Sequence, residues 1–332
     1  MAKYLIVGPS WVGDMVMAQS LFKTIAKQDK SAIIDVIGPA WSSPILARMP
    51  EVRNALTLKT GHGEWGIATR RELGQSLRNE QYDQAITLPR SWKSALVPFF
   101  AKIPKRIGFH GEQRYILLNE RRKLDKNILN QTVKRFVSLG VSVQDAYPPT
   151  DLPQPELRVD AQNQATLYQK HKLHPERPAV AMMAGAEYGP AKQWPLEHFR
   201  SLAQQLIERG YQVWVLGGPK DIEDGNSILD GLGEHAFNLC GATKLVDAID
   251  LLAAAEFAVS NDSGLMHVAA AVGTTVHGIY GSTSELFTPP LTDNKVIHNL
   301  HLDCSPCFKR TCPLGHTNCL RDITPELIIK SL

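Results

Sequence analysis

The stretch Val259-Ser-Asn-Asp-Ser-Gly-Leu-Met-His-Val-Ala-Ala-Ala271 begins as an apolar strand, turns through polar residues and continues as a helix of small residues. A strand that passes directly into a helix is the repeating unit of a parallel sheet covered by helices. The same alternation runs through the second half of the chain. Its predicted strands are 179–183, 212–216, 236–239, 257–260 and 275–280, and its predicted helices begin at Pro195, Asp221, Leu245 and Gly264.

The first half of the chain shows the same pattern. Its predicted strands are 3–7, 32–37, 55–58 and 84–88, and its predicted helices begin just beyond Asp14 and cover 41–48, 70–78 and 93–101. Such alternation implies right-handed crossovers and a mostly parallel sheet in each half. The sequence therefore predicts an α/β protein made of two doubly wound, Rossmann-like domains.

A proline-rich segment separates the two series. Residues 147–155 contain four prolines in nine positions, which stiffens the chain and prevents regular strand pairing. We therefore predict an N-terminal domain over 1–150, a linker over 151–158 and a C-terminal domain over 159–332. Because sheets of this kind bind ligands at the carboxyl ends of their strands, we expect the active site in a cleft between the domains.

Length and composition are those of an ordinary globular protein. The chain has 332 residues, of which 43% are apolar and 21% are charged, and this composition excludes a disordered protein and a small disulfide-stapled module. No apolar run approaches the roughly 18 to 20 residues that span a bilayer. The N-terminal segment Met1-Ala-Lys-Tyr-Leu-Ile-Val-Gly8 is too short for the apolar core of a signal peptide. We therefore expect a cytoplasmic protein.

Charge is distributed unevenly along the chain. Residues 1–150 contain 22 Lys and Arg against 12 Asp and Glu, whereas the remainder contains 14 against 21. The basic excess is densest over 90–135 and predicts a localised patch for an anionic partner, which could be a phosphorylated small molecule, a nucleic acid or a membrane surface. Solvated helix faces are an equally good interpretation of the excess.

The turn between the strand and the helix of the opening stretch favours phosphate binding. Ser263, Gly264 and Leu265 would present the backbone N–H groups of a helix N-terminus, which suit a phosphate. Asp262 fits this site, but it also fits a simple helix cap. His267 fits a ligand contact, although a histidine packed inside the helix bundle is the more common case.

Two further loops of the second half carry candidate binding residues. The segment Ala184-Gly-Ala-Glu-Tyr-Gly-Pro-Ala-Lys-Gln-Trp-Pro195 follows a strand, and it can bring backbone donors and the mobile cation of Lys192 to a pyrophosphate. Glu223 follows a glycine turn and could accept hydrogen bonds from ribose hydroxyls. An exposed loop lysine and a first-turn helix acid are the alternative interpretations.

The first strand runs into Gly8-Pro-Ser-Trp-Val-Gly-Asp14. Gly13 allows a close approach of the backbone, and Asp14 falls near the first helical turn, where a carboxylate is favoured electrostatically. Asp14 therefore fits a catalytic carboxylate or a helix cap. The order of the glycines is not that of a dinucleotide-binding loop.

Four of the five cysteines are clustered near the C-terminus. Cys304, Cys307, Cys312 and Cys319 lie within sixteen residues, which in a cytoplasmic chain predicts a structural zinc site more readily than disulfides. The spacing differs from standard zinc-ribbon and zinc-finger patterns, so free thiols in a loop remain an open alternative.

Three of these motifs together resemble the lipopolysaccharide heptosyltransferases that use ADP-heptose. They are Gly8-Pro-Ser-Trp-Val-Gly-Asp14, Gly185-Ala-Glu-Tyr-Gly-Pro-Ala-Lys-Gln-Trp-Pro195 and Asn261-Asp-Ser-Gly-Leu-Met-His267, which occur in the order found in that family. The resemblance implies an inverting glycosyltransferase of the GT-B type. Its donor would be ADP-heptose, and its acceptor would be heptosyl-Kdo-lipid A at the cytoplasmic face of the inner membrane, with the second heptose of the inner core as the product.

The resemblance also implies roles for particular residues. Asp14 would be the general base on the acceptor side, Lys192 the cation that binds the diphosphate, and the turn 262–265 its cradle, with His267 beside it and Glu223 on the adenosine ribose. An inverting transfer needs the acceptor hydroxyl deprotonated as it attacks, and a carboxylate supplies this. Lys192 and a helix N-terminus can stabilise the departing ADP, and the chain has no Asp-x-Asp motif; no cofactor is therefore expected to be required for catalysis.

The sequence also allows two interpretations of other classes. A nucleic-acid-binding protein would account for the basic region and the cysteines, but it leaves the phosphate loops of the acidic half without a role. An NAD-dependent sugar-modifying enzyme would account for the sheets, yet the third glycine of the first turn and the acidic residue after the second strand are missing. A heptosyltransferase that acts at another inner-core position is the nearer alternative.

Overall fold

The computed structural model describes residues 1–61, 63–142 and 147–332. The chain forms two compact units, Met1–Glu156 and Leu157–Leu332. The division between them falls inside 151–158, the segment for which a linker is predicted. Positions 143–146 of the predicted N-terminal domain lie outside the described residues.

The N-terminal unit contains a six-stranded parallel sheet. Its strands are β1 Lys3–Val7, β2 Ile33–Gly38, β3 Val52–Thr57, β4 Gln84–Thr87, β5 Lys105–Phe109 and β6 Glu120–Arg122. They lie in the order β3-β2-β1-β4-β5-β6. The central strands are buried on both faces, as the fully buried Leu5 and Ile6 of β1 illustrate, which is the reason that they read as continuous apolar runs.

Helices cover both faces of this sheet. They are α1 Val12–Gln28, α2 Ser43–Leu46, α3 Ile67–Ser76, α4 Leu96–Phe100 and α5 Thr132–Gly140. The long helix α1 buries Met15, Leu21 and Phe22 completely. It begins at Val12 rather than beyond Asp14, so Asp14 lies in its first turn.

The C-terminal unit repeats the same topology. Its strands are β7 Ala179–Met183, β8 Gln212–Val215, β9 Ala236–Asn238, β10 Phe257–Asn261, β11 Thr275–Ile279 and β12 Lys295–His298. They lie in the order β12-β11-β10-β7-β8-β9 and all pair in parallel. Counted within each unit, both sheets have the order 3-2-1-4-5-6, so the direction of winding reverses between the first and the fourth strand.

The helices of the C-terminal unit follow the predicted alternation. They are α6 Ala161–His171, α7 Leu196–Glu208, α8 Ile222–Leu229, α9 Leu245–Ala254, α10 Gly264–Ala271, α11 Asn318–Arg321 and α12 Pro325–Ile329. The core between sheet and helices is built around the fully buried Trp194, together with Phe199, Leu202 and Leu206 of α7. In the ranges described, no helix is long and apolar enough to cross a membrane.

The predicted fold class, α/β with two doubly wound domains, is confirmed. The sequence analysis misses three strands, β5, β6 and β12, and the helices α5, α6 and α11. The three strands lie at or next to a sheet edge, and they carry charged residues, as in the Glu-Arg-Arg of β6. Charges protect an edge from pairing with another chain, and they also remove the apolar pattern by which a strand is recognised.

Candidate functional site

The C-terminal unit brings two predicted residues together where its winding reverses. Lys192 lies in the loop after β7, Asp262 follows β10, and these two strands pair directly. The Lys192 Nζ atom lies 2.6 Å from Asp262 Oδ2. Adjacent loops at a reversal of this kind form the crevice in which doubly wound sheets bind ligands. The predicted phosphate loops therefore meet at the expected edge of the sheet.

The loop after β7 is held in place by the side chain of Asn261, the last residue of β10. The Asn261 Nδ2 atom donates to Ala184 O at 2.7 Å, and Asn261 Oδ1 accepts from Trp194 N at 3.0 Å. Asn261 thus ties both ends of the loop to one buried amide. The sequence analysis gives Asn261 no role, because its position after a strand does not reveal which loop it bonds.

Thr283 completes the environment of the Asp262 carboxylate. Its Oγ1 atom donates to Asp262 Oδ2 at 2.6 Å, the same oxygen that Lys192 contacts. The side chains of Lys192 and Asp262 are only 15% and 6% exposed. A largely buried ion pair of this kind needs such additional hydrogen bonds to offset the loss of hydration. Thr283 also has no predicted role, since it follows a third strand, β11.

The N-terminus of α10 faces the same crevice. The helix begins at Gly264, after Ser263 in an extended conformation, and Leu265 is in its first turn. Ser263 occupies the N-cap position, and in the structure as described its side chain makes no hydrogen bond to the first N–H groups of the helix. The predicted residues Asp262, Ser263, Gly264 and Leu265 therefore place backbone donors beside the Lys192 ammonium, which is an arrangement suited to an anion.

His267 lies one turn further along α10 and is 5% exposed. Burial lowers the pKa of His267 to about 4, although the charge of Asp262 opposes this effect. The imidazole is therefore neutral at pH 7. Within the part of the chain that is described, its buried Nδ1 atom has no hydrogen-bond partner.

Glu223 is exposed in the first turn of α8. The neighbouring acids contact the loops instead: Asp224 Oδ2 accepts from Gln193 Nε2 at 2.7 Å, and Asp221 Oδ2 accepts from Gly218 N at 2.7 Å. Burial raises the pKa of Asp221 above its usual range. The ribose-binding role of Glu223 stays a prediction.

In the N-terminal unit, Gly13 and Asp14 follow β1, which pairs with β4 where the winding of this sheet reverses. Gly13 is buried, and the partly exposed Asp14 lies in the first turn of α1. The preceding turn needs Gly8, because a Cβ atom there would lie 3.1 Å from Ile37 O and 2.7 Å from the Met15 side chain. The turn at Gly8, which leads into the helix that carries Asp14, is therefore packed tightly against β2.

The prediction of a localised basic patch over 90–135 is partly wrong. Three of its arginines are structural: Arg106 donates to Leu117 O at 2.7 Å, Arg114 to Phe109 O at 2.6 Å, and Arg122 to Val141 O at 2.8 Å. Arg114 is 2% exposed. These three side chains are buried or half-buried and bond backbone carbonyls, so they are not available to a ligand.

Other cations of the same region do reach the surface. Arg121 is exposed, and its guanidinium carbon lies 5.2 Å from the centre of the Tyr115 ring. Arg121, Tyr115 and His110 line a cavity of about 280 Å³ beyond the end of β5. Basic and aromatic groups therefore meet at the carboxyl edge of the N-terminal sheet.

The four clustered cysteines, Cys304, Cys307, Cys312 and Cys319, are free thiols. Burial, followed by the charges of the other three, raises the pKa of Cys319 to about 11. In the described ranges, no group of three or more His, Cys, Asp or Glu side chains is arranged to hold a metal ion. The predicted structural zinc site therefore gains no support from the structure.

Comparison with known proteins identifies the family. The family description "Glycosyltransferase family 9 (heptosyltransferase)" matches residues 70–318. Lipopolysaccharide heptosyltransferase 2 of Salmonella typhimurium is 45% identical over 99% of this chain and 97% of its own length. Lipooligosaccharide heptosyltransferase 2 of Haemophilus influenzae is 44% identical over 99% and 97%. The solved structure of ADP-heptose lps heptosyltransferase II of E. coli has a TM-score of 0.87 at 43% identity, covering 99% and 96% of the two chains.

The chain belongs to glycosyltransferase family 9 and is an enzyme, a glycosyltransferase. Its function is that of a heptosyltransferase II. The predicted resemblance is thereby confirmed over almost the whole chain.

Proposed function

We propose that the enzyme transfers L-glycero-D-manno-heptose from ADP-heptose to the first heptose of the lipopolysaccharide inner core, with inversion at the anomeric carbon. The observation that carries the proposal is the Lys192–Asp262 pair beside the N-terminus of α10, where the winding of the C-terminal sheet reverses. A diphosphate matches this combination of one cation and several backbone donors.

The donor is bound through its diphosphate. Lys192 shares its ammonium between the phosphate oxygens and Asp262, while the N–H groups at 263–265 bind a second oxygen. The adenosine lies toward α8, where Glu223 is the predicted ribose contact. Negative charge grows on ADP as it leaves, and Lys192 and the helix N-terminus stabilise it in place. Since these groups supply the required positive charge, transfer proceeds without an added cofactor, and activity persists in excess EDTA.

Asp14 is the proposed general base. Its carboxylate takes the proton of the acceptor hydroxyl as that oxygen forms a bond to the anomeric carbon of the donor. The bond between this carbon and the ADP oxygen breaks on the opposite face of the sugar, and ADP leaves with the electron pair. Asp14 suits this role because the tight turn at Gly8 and the first turn of α1 fix its position.

The acceptor, heptosyl-Kdo-lipid A, carries several negative charges. We place them against the carboxyl edge of the N-terminal sheet, where the exposed Arg121 and the cavity beyond β5 lie. Such an acceptor is anchored in a membrane, so the enzyme works as a peripheral protein at the cytoplasmic face of the inner membrane, to which basic side chains contribute attraction.

A transfer assay with purified enzyme tests the proposal. ADP-heptose is offered with heptosyl-Kdo-lipid A and, in parallel, with Kdo-lipid A that lacks the first heptose. We expect the mass of one heptose to be added to the first acceptor and none to the second. A third acceptor is a core that already carries two heptoses. Addition only to the second acceptor, or only to the third, would assign the enzyme to another inner-core position.

A further inference from the structure

The cysteine-rich segment, residues 304–319, has no part in the proposed function so far. It nevertheless packs directly on the loop that carries Lys192. The Tyr188 hydroxyl donates to Phe308 O at 3.0 Å, and Ala191 N donates to Arg310 O at 3.0 Å. The segment is therefore attached through its backbone to the loop after β7, within the C-terminal unit.

The same segment is bonded on its other side to the loop after β11. Phe308 N donates to Ser282 O at 2.7 Å, and the Ser305 hydroxyl donates to Gly281 O. Ser282 and Gly281 directly precede Thr283, which holds Asp262. The cysteine-rich segment thus joins the two loops that support the Lys192–Asp262 pair.

A glycine makes this close contact possible. Gly189 has a φ angle of +153°, and a Cβ atom on it would lie 2.5 Å from the Arg310 carbonyl oxygen. Such a distance is too short for any Cβ atom. The Arg310 oxygen cannot move away easily, because the hydrogen bonds at Phe308 and Arg310 hold this stretch of backbone. Gly189 therefore lets the loop and the backbone at Arg310 approach each other.

This approach brings a second cation to the ring of Tyr188, the residue whose ring Lys192 also contacts. The guanidinium carbon of Arg310 lies 5.4 Å from the centre of the Tyr188 ring, and Lys192 Nζ lies 5.1 Å from the same centre. An aromatic ring attracts a cation to its face and thereby orients it. Asp262 pairs with Lys192 from the other side, and an anion bound near the Tyr188 ring is attracted by both cations.

Arg310 differs from the structural arginines of the N-terminal unit. Arg106 and Arg114 direct their guanidinium groups at backbone carbonyls, whereas Arg310 is exposed and holds its guanidinium against an aromatic ring. An exposed planar guanidinium group can bind two phosphate oxygens at once.

We propose that Arg310 is a second cation of the donor site, binding the diphosphate of the nucleotide sugar together with Lys192. The cysteine-rich segment is then the part of the fold that delivers Arg310 to this site. The inference rests on the proposed function, because it assigns a further residue to the same donor site.

Calorimetric titration with ADP and with adenosine tests the inference on four variants of the full chain: Arg310→Ala, Arg310→Lys, Lys192→Ala and Lys309→Ala. Substitution at Arg310 keeps the backbone carbonyl that bonds Ala191, so docking of the segment is preserved. Lys309→Ala is the matched control, since it removes the same charge from an exposed neighbour.

We expect Arg310→Ala to weaken ADP binding by about ten- to a hundred-fold, as for the loss of a hydrogen bond to a charged group. Arg310→Lys should recover part of this loss, and adenosine binding should be unchanged. Three results would overturn the inference. Arg310→Ala could lose affinity for ADP and adenosine equally, it could keep its affinity for both, or its affinity for ADP could change no more than that of Lys309→Ala.

The same titrations separate this inference from the proposed function. If the unaltered enzyme binds no ADP, or if Lys192→Ala binds it normally, the proposed donor site is wrong. If Lys192→Ala loses affinity for ADP and Arg310→Ala does not, the donor site stands and only the role of Arg310 is overturned.

Discussion

Lys192 and Asp262 form an ion pair of 2.6 Å although they are 70 positions apart and follow different strands. Both side chains are largely buried, and the Thr283 hydroxyl bonds the same carboxylate oxygen. Asp262 thus fixes the ammonium of Lys192 before any ligand arrives. In the proposed donor site, an arriving diphosphate would therefore meet a cation that is already oriented, which lowers the cost of ordering it on binding.

Removal of one partner of this pair should destabilise the C-terminal unit more than removal of both. We expect Lys192→Met to lower the free energy of unfolding by about 3–5 kcal/mol, because it leaves the Asp262 carboxylate buried without its cation. The double variant Lys192→Met with Asp262→Asn should recover much of this loss. Urea unfolding of both variants measures the difference, with Lys170→Met as an exposed control. A double variant less stable than the single one would contradict this account.

Asp14→Asn should abolish most of the turnover while leaving ADP binding intact. Loss of a general base commonly reduces rate by about 10²- to 10⁴-fold, and the ADP contacts proposed here lie in the other unit of the chain. Steady-state kinetics and an ADP titration measure the two effects, with the exposed Glu72→Gln as a matched loss of a carboxylate. Turnover close to that of the unaltered enzyme would remove Asp14 from the mechanism.

The stability of the C-terminal unit should fall as the pH falls from about 6.5 to 4. Burial lowers the pKa of both His267 and His277 to about 4. Between these pH values the unfolded chain therefore binds more protons than the folded chain, so the free energy of unfolding decreases with decreasing pH. We expect about 1–2 kcal/mol per histidine between pH 6.5 and 5.

His277 offers the cleaner test of this dependence, because it lies outside the proposed donor site. Its Nδ1 atom lies 3.2 Å from His298 Nε2 and 3.4 Å from the Ser331 hydroxyl. His277→Gln should reduce the slope of stability against pH, measured by urea unfolding from pH 7 to 5. His301→Gln, at an exposed position, serves as the control. Equal slopes for the two variants would count against a role of His277.

Arg121→Ser should raise the Michaelis constant for the lipid-linked acceptor and leave that for ADP-heptose unchanged. The exposed guanidinium lies beside the cavity at the carboxyl edge of the N-terminal sheet. A single exposed charge contributes about 1 kcal/mol near an anionic surface, so the effect is roughly five-fold and smaller at high salt. Lys30 is exposed and precedes β2, at the amino ends of the strands. Lys30→Ser removes the same charge there and should have no effect. A similar change in both constants would indicate structural damage.

Most of the architecture could be predicted from the sequence, because buried central strands are continuous apolar runs. Strand β7 was predicted residue for residue, and the helix after β10 was predicted to begin at Gly264, where α10 begins. The meeting of the loops that carry Lys192 and Asp262 could be predicted for a related reason, because residues after paired parallel strands lie at one edge of the sheet. Lys192 and Asp262 follow two such strands.

Contacts that depend on tertiary packing could not be predicted. Arg122 and Arg121 are neighbours in the sequence and each bonds a backbone carbonyl, yet Arg122 is half-buried and Arg121 is exposed. Nothing in a run of basic residues distinguishes them, since the difference comes from the position of each residue on β6. The hydrogen bonds of the Asn261 and Thr283 side chains could not be predicted for the same reason, because each reaches a loop that is distant along the chain.

The contact between Gly189 and the Arg310 carbonyl oxygen also constrains how this enzyme can be recombined with its relatives. Two stretches of the chain that are far apart in sequence must be inherited together, because a side chain at 189 and the cysteine-rich segment exclude each other. In a chimera that receives the segment without a glycine at 189, the segment should fail to pack on the loop. In a chimera that receives both, it should pack normally. The loop and the segment therefore behave as a single unit of exchange, although they are distant along the chain.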